Sequence, residues 1–136
     1  MIVCGIEMSG SEVRLVILNG TRESFTYINT EPKKIKLSND ENQDEVKSFR
    51  DTIFTFFKKN NISLVAIKKR GKKGTFSGGP VGFKLEGIIQ LYEESAIRLI
   101  APQTISAAYK KCLSAKPNEL KKYQYTAFET AFSALE

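Results

Sequence analysis

The chain has no histidine, so acids, amines and two thiols are what its 136 residues offer for chemistry. That absence excludes nucleophiles activated by histidine, histidine-containing zinc sites and haem held by histidine. The densest chemical signal is basic. Residues 68–84 contain Lys68, Lys69, Arg70, Lys72, Lys73 and Lys84 and no acid, a local charge of +6 that equals the net charge of the whole chain. The same stretch holds Gly71, Gly74, Gly78, Gly79 and Gly82, five of the nine glycines. Glycine removes side-chain bulk and frees backbone N–H groups, so such a loop can approach a polyanion closely. Each phosphate it neutralised would release counterions and make binding salt-dependent. Phe76 offers a face on which an unpaired base could stack. A solvated loop that keeps the protein soluble is the plainer use of the same residues. Gly71-Lys72-Lys73 lacks the Ser or Thr that follows Gly-Lys in a P-loop, and no helix-turn-helix, zinc-finger or RNP pattern occurs.

The elements that must position this loop follow from periodicity. Ile2 to Met8 is apolar on both alternating sets, as suits a strand covered on both faces. Ser9-Gly10-Ser11 marks a turn, and Val13 to Leu18 a second strand. Asn19-Gly20 predicts a hairpin turn into a third strand ending near Ile28. Residues 29–42 read as a loop with a short extended piece at Lys34 to Leu37. Asn39 or Asn42 can cap a helix whose Val46, Phe49, Ile53, Phe56 and Phe57 fall at helical spacing through Lys59. Ile62 to Ile67 is a fourth strand, Val81 to Glu94 a helix, and Ile97 to Ala101 a fifth strand. Pro102 opens a further helix reaching toward Leu113, Pro117 breaks the chain, and Glu119 to Leu135 is a last amphipathic helix. The order predicts one α/β domain over 1–136, a five-stranded mixed sheet with helices on its faces. No apolar run reaches 18 residues, and Cys4 and Cys112 stand far apart. A cytoplasmic protein with free thiols and no membrane association is expected.

Several of these segments carry a resemblance. Ile2-Val3-Cys4-Gly5-Ile6-Glu7-Met8-Ser9-Gly10-Ser11 resembles the first strand of the RuvC-type Holliday-junction resolvases, two apolar residues followed by Gly-Ile-Asp, any residue, and Gly or Ser. Ser63 to Lys68 is similar to their fourth strand, Phe83-Lys84-Leu85-Glu86-Gly87 to the start of the next helix, Ile100 to Ser106 to the fifth strand and its turn, and Tyr123 to Leu135 to the final helix. The likeness spans nearly the whole chain and implies an RNase H-like fold. The chain is more similar still to a small gammaproteobacterial family on this fold, from which no activity carries over.

The resemblance also implies a site. The resolvases hold Mg²⁺ on clustered carboxylates and hydrolyse phosphodiesters. Glu7 stands where their first Asp is expected, and Lys68 where their second carboxylate is expected, a reversal of charge. Glu129 can stand for one acid of the last helix, while the other falls at Thr126 or Phe132. The expectation is that the Lys68 ammonium replaces the metal between Glu7 and Glu129, leaving a nucleic-acid-associated protein with a degenerate nuclease site and no cofactor. Lys69, Arg70, Lys72, Lys73 and Lys84 would then contact the phosphates of DNA or RNA. One alternative is an active nuclease in which Glu7, Glu86 and Glu129 bind Mg²⁺ or Mn²⁺. Another is a non-catalytic interaction module that self-associates as a homodimer. All three depend on strand register, because a slip of one residue would carry Lys68 to the opposite face.

Overall fold

A computed structural model of the protein describes residues 1–73 and 79–136. Its first two strands, β1 (Ile2–Ser9) and β2 (Glu12–Gly20), pair antiparallel across the Gly10-Ser11 turn, with Gly10 at φ 58°. β3 (Phe25–Ile28) pairs antiparallel with β2. The reversal between them lies over residues 21–24 rather than at Asn19-Gly20, because Gly20 still pairs with Phe25 and Thr21 N–H bonds the Ser24 carbonyl at 2.9 Å. Gly20 has φ 130°, and a Cβ there would overlap the Ser24 carbonyl oxygen, so the chain needs glycine at this point for a different turn from the one expected.

The extended piece predicted after Pro32 is a true strand, β4 (Lys34–Lys36), antiparallel to the far end of β2. Among the described residues the sheet therefore has six strands, with five in the order β3-β2-β1-β5-β6 and β4 beside β2. β5 (Leu64–Lys68) and β6 (Ala96–Ile100) are parallel to β1.

Helix α1 (Gln43–Lys59) is capped by Asn42, whose side chain accepts the Glu45 N–H at 3.0 Å, with Asp44 and Glu45 in its first turn. Phe49, Ile53, Phe56 and Phe57 of α1 and Leu85 and Ile89 of α2 (Pro80–Gln90) cover one sheet face, against Cys4, Ile6, Leu15, Val65 and Ile67. Ile105 of α3 (Pro102–Tyr109) and the buried side of α4 (Tyr125–Ala134) cover the other, against Val3, Val16, Leu64 and Ala66.

Three helix ends differ from the sequence expectation, the first being α2, which stops at Gln90 rather than Glu94. α3 stops at Tyr109, and Leu113 stands fully exposed beyond it. α4 begins at Tyr125, after a single 3₁₀ turn at Lys122–Gln124. Residues 119–121 stay outside the helix because Leu120 turns back on Pro117, bonding its carbonyl at 3.1 Å. Among the described residues no helix is long and apolar enough to cross a membrane, and both cysteines are free.

Candidate functional site

Register decides which acids meet. β1 and β5 run parallel with Ile6 opposite Ile67, so Glu7 and Lys68 are the next neighbours along the pair. Ile6 and Ile67 face α1 and α2. By alternation Glu7 and Lys68 share the other face, with Val3, Leu64 and Ala66. They stand near the carboxyl ends of their strands in a cleft of about 270 Å³, lined by Glu7, Met8, Lys68, Lys69, Arg70, Gly71 and Pro102. This is where open α/β sheets place ligands, beyond the carboxyl ends of parallel strands. A larger groove of about 500 Å³ between α1 and the end of α2, around Phe54, Leu91 and Tyr92, contains none of the expected site residues.

The carboxylate of Glu7 does not face Lys68 as an ion-pair partner. It lies 3.6 Å from Nη1 of Arg14, the residue directly opposite on β2, and Arg14 Nε also donates to Glu12 at 3.0 Å. The two-residue turn at Gly10-Ser11 fixes this pairing, so a hairpin register drawn through that turn was enough to find Arg14 in the sequence. With Glu7 already matched to Arg14, the ammonium groups of Lys68 and Lys69 and the guanidinium of Arg70 leave the cleft lining predominantly cationic.

Glu129 is elsewhere. α4 lies directly on β1 at Gly5, where a Cβ would overlap the Ala127 carbonyl oxygen and sit 2.6 Å from the Ala131 Cβ. Ala127 and Ala131 are thus the residues of α4 that meet the sheet. Glu129 is two positions from each, roughly 200° round the helix, and points away from the cleft. Its Oε2 is 3.2 Å from Nζ of Lys116. That ammonium also donates to the Tyr109 hydroxyl at 2.8 Å and lies 4.3 Å and 5.0 Å from the ring centres of Tyr109 and Tyr125. Burial works to lower the Lys116 pKa, but its hydrogen bonds to Tyr109 and Glu129 outweigh this and raise it. The expectation that Lys68 balances both glutamates is therefore corrected: Arg14 and Lys116 do so, one acid each. Nothing in the local sequence marks this cage, because its members come from α3, α4 and the loop between them.

The remaining expected residues divide in the same way. Lys69 and Arg70 line the cleft, and Lys72 and Lys73 are exposed just beyond it. Lys84 does not line it; its ammonium is held by Asp40, through the backbone carbonyl and the carboxylate at 3.8 Å. Glu86 is buried in α2, outside the cleft lining. Thr126 and Phe132 bring no acid, Thr130 closes on the Thr126 carbonyl at 2.8 Å, and Phe132 is core. Phe76, Gly74 and Gly78 lie outside the described residues.

Divalent metal chemistry needs several convergent oxygen ligands. Among the described residues no three His, Cys, Asp or Glu side chains converge closely enough to hold a metal ion. The cleft offers a single glutamate, and that one is beside a guanidinium. These residues do not fit a two-metal centre.

Solved structures share the fold. Thermus thermophilus RuvC in complex with a Holliday junction substrate superposes with a TM-score of 0.70 at 12% identity, covering 98% of this chain and 91% of that chain. A second Thermus thermophilus RuvC structure gives 0.73 at 11% identity, over 98% and 92% of the two chains. The fowlpox virus resolvase in complex with substrate Holliday junction DNA gives 0.53 at 14% identity, over 98% and 91%. Likeness at such identities establishes an RNase H-like fold of the RuvC type and nothing finer. No curated protein matches the chain in sequence. Residues 1–134 match the family described as "Protein of unknown function (DUF3010)", and the chain belongs to that family.

Proposed function

We propose that this protein binds nucleic acid through the cleft at the carboxyl ends of β1 and β5, and that the cleft has lost two-metal phosphodiester hydrolysis. The observation that carries the reading is the composition of the cleft wall: Lys68, Lys69 and Arg70 against the single acid Glu7, which Arg14 already pairs. Lys72 and Lys73 extend the cationic surface outward. A wall of this kind attracts phosphate and repels divalent cations. Two similar structures, a RuvC and a viral resolvase, hold Holliday junction DNA, which makes branched DNA the first ligand to try.

The test is fluorescence anisotropy with labelled four-way junction, duplex and single-stranded DNA across salt concentrations. If Lys68, Lys69, Lys72 and Lys73 each neutralise one phosphate, log K should fall against log salt with a slope of about −3.6 on duplex. Lys68→Gln and Lys69→Gln should each flatten the slope by about 0.9. No binding at low salt overturns the nucleic-acid reading, and a concentration-dependent dimer without DNA binding would favour an interaction module. Cleavage in Mn²⁺ that disappears in Glu7→Gln overturns the loss of hydrolysis.

A further inference from the structure

Among the described residues, three buried side-chain polar atoms have no hydrogen-bond partner, and they belong to two oppositely charged residues: Nε and Nη2 of Arg70, and Oε2 of Glu86. Glu86 is only 9% exposed. Arg70 follows β5, and Glu86 belongs to α2, which begins beyond the basic loop. Gly82 links the two. It is buried, and a Cβ there would overlap Nη2 of Arg70 and lie 2.6 Å from its Cζ. The guanidinium thus occupies the space that a side chain at position 82 would fill, with its Cζ 4.9 Å from the centre of the Phe83 ring. Glu86 is one helical turn after Gly82, on the same buried side. An unpaired charge is costly to bury; this guanidinium and carboxylate make no direct bond among the described residues, so a water between them would relieve both.

We propose that Arg70 is a positioning residue. Seated in the Gly82 notch against Phe83 and Glu86, it ties the exit of β5 to the first turns of α2 and so closes the neck of the basic loop. The other side of the neck is already fixed, since Lys69 N–H bonds the Ile100 carbonyl at 2.8 Å. Lys69, Lys72 and Lys73 are then presented from a held backbone, and ordering them on a ligand costs less than ordering a free loop. Glu86 serves as the counter-charge of Arg70 and not as a metal ligand. The proposal rests on the nucleic-acid reading above for its consequence, though not for its geometry.

Gly82→Ala separates positioning from charge, because it leaves every ionic group in place and fills the notch. Alanine favours helix over glycine, and the group displaced is the flexible end of an arginine, so α2 should fold. Against labelled junction DNA, Gly82→Ala and Arg70→Lys should each weaken binding by about three- to tenfold with the salt slope unchanged. Phe83→Leu, which removes the face under the guanidinium and keeps an apolar residue, should act in the same direction. Without DNA, exchange of the Lys69 amide should speed up by about tenfold in Gly82→Ala. If Gly82→Ala and Phe83→Leu bind and exchange as the wild type does, the proposal is overturned. If the wild type binds no nucleic acid, the functional reading falls, and the exchange measurement still decides for or against the closed neck.

Discussion

Replacing Lys116 by methionine keeps most of the side chain's bulk and removes the ammonium from its cage. The Lys116 side chain is 22% exposed and that of Glu129 32%, so the pair is more shielded than a surface ion pair. At 3.2 Å and an effective dielectric of 20 the bare attraction is about 5 kcal/mol, and desolvation of both charges offsets more than half of it. The two ring faces add about 0.5–1 kcal/mol each. Methionine recovers part of the contact with both rings through its sulfur. We expect a net loss of about 2 kcal/mol. For 136 residues unfolding with about 2.1 cal/mol/K each, that is a fall in Tm of about 7 °C. The pH dependence follows from the sign of the shift. Lys116 has its pKa raised in the folded state, so its contribution is complete below the ordinary lysine value of 10.5 and is lost as pH rises through the folded value. Urea unfolding of wild type and Lys116→Met should therefore differ by a constant amount from pH 6 to 9 and converge above about pH 10.5. A variant within about 0.5 kcal/mol of wild type at pH 7 would refute the cage as a stabilising unit, and a gap that widened at high pH would refute its electrostatic origin.

Three further outcomes are expected. Gly5→Ala places a Cβ against backbone and side-chain atoms of α4 that cannot turn aside, so urea unfolding should show a loss of about 2–3 kcal/mol. Asn42→Ala removes the cap of α1 and should cost about 1 kcal/mol in the same assay, with Asn42→Asp close to wild type. Burial pushes the Cys4 thiol far above its ordinary pKa, so native protein at pH 8 should resist iodoacetamide at Cys4 and react at the partly exposed Cys112, as read by peptide mass analysis; labelling of Cys4 at the rate of Cys112 would contradict its burial.

What could be read from residues alone was what local chemistry dictates. The doubly apolar run at Ile2–Met8 and the phenylalanine spacing of α1 each specify an element without help from the rest of the chain, whereas the sequence offered Asn39 or Asn42 as the cap and the structure takes Asn42. The Glu7–Lys68 proximity was expected from the resemblance to the resolvases, and the parallel pairing of β1 with β5 brings it about. Two kinds of information were not legible. The hairpin at Asn19-Gly20 looked complete as a dipeptide, yet pairing of Gly20 with Phe25 carried the turn onward to residues 21–24. The facing of Glu129 depended on which side of α4 packs down. That choice is made by Gly5, whose missing side chain admits Ala127 and Ala131, and a glycine on one strand carries no local mark of the helix it receives.

The surroundings of the three acids singled out as metal ligands support the loss of hydrolysis. Two have an ion-pair partner within the fold, Glu7 with Arg14 across the hairpin and Glu129 with Lys116 in its aromatic cage, and to the third, Glu86, our proposal assigns Arg70 without a direct bond between them. A divalent ion is held by the surplus negative charge of converging carboxylates, and here that surplus is reduced at each acid separately. Restoring a metal centre would require breaking these pairs, turning Glu129 from the outer side of α4 toward the sheet, and removing the ammonium of Lys68 from the place where the ion would sit. A single substitution such as Lys68→Glu meets only the last of these requirements. It should weaken phosphate binding in the cleft without producing cleavage, and junction DNA incubated with that variant in Mn²⁺ should remain intact. Cleavage by Lys68→Glu alone would mean that the internal pairs yield to a metal, and that the reversal of charge at this one position is what separates this chain from a nuclease.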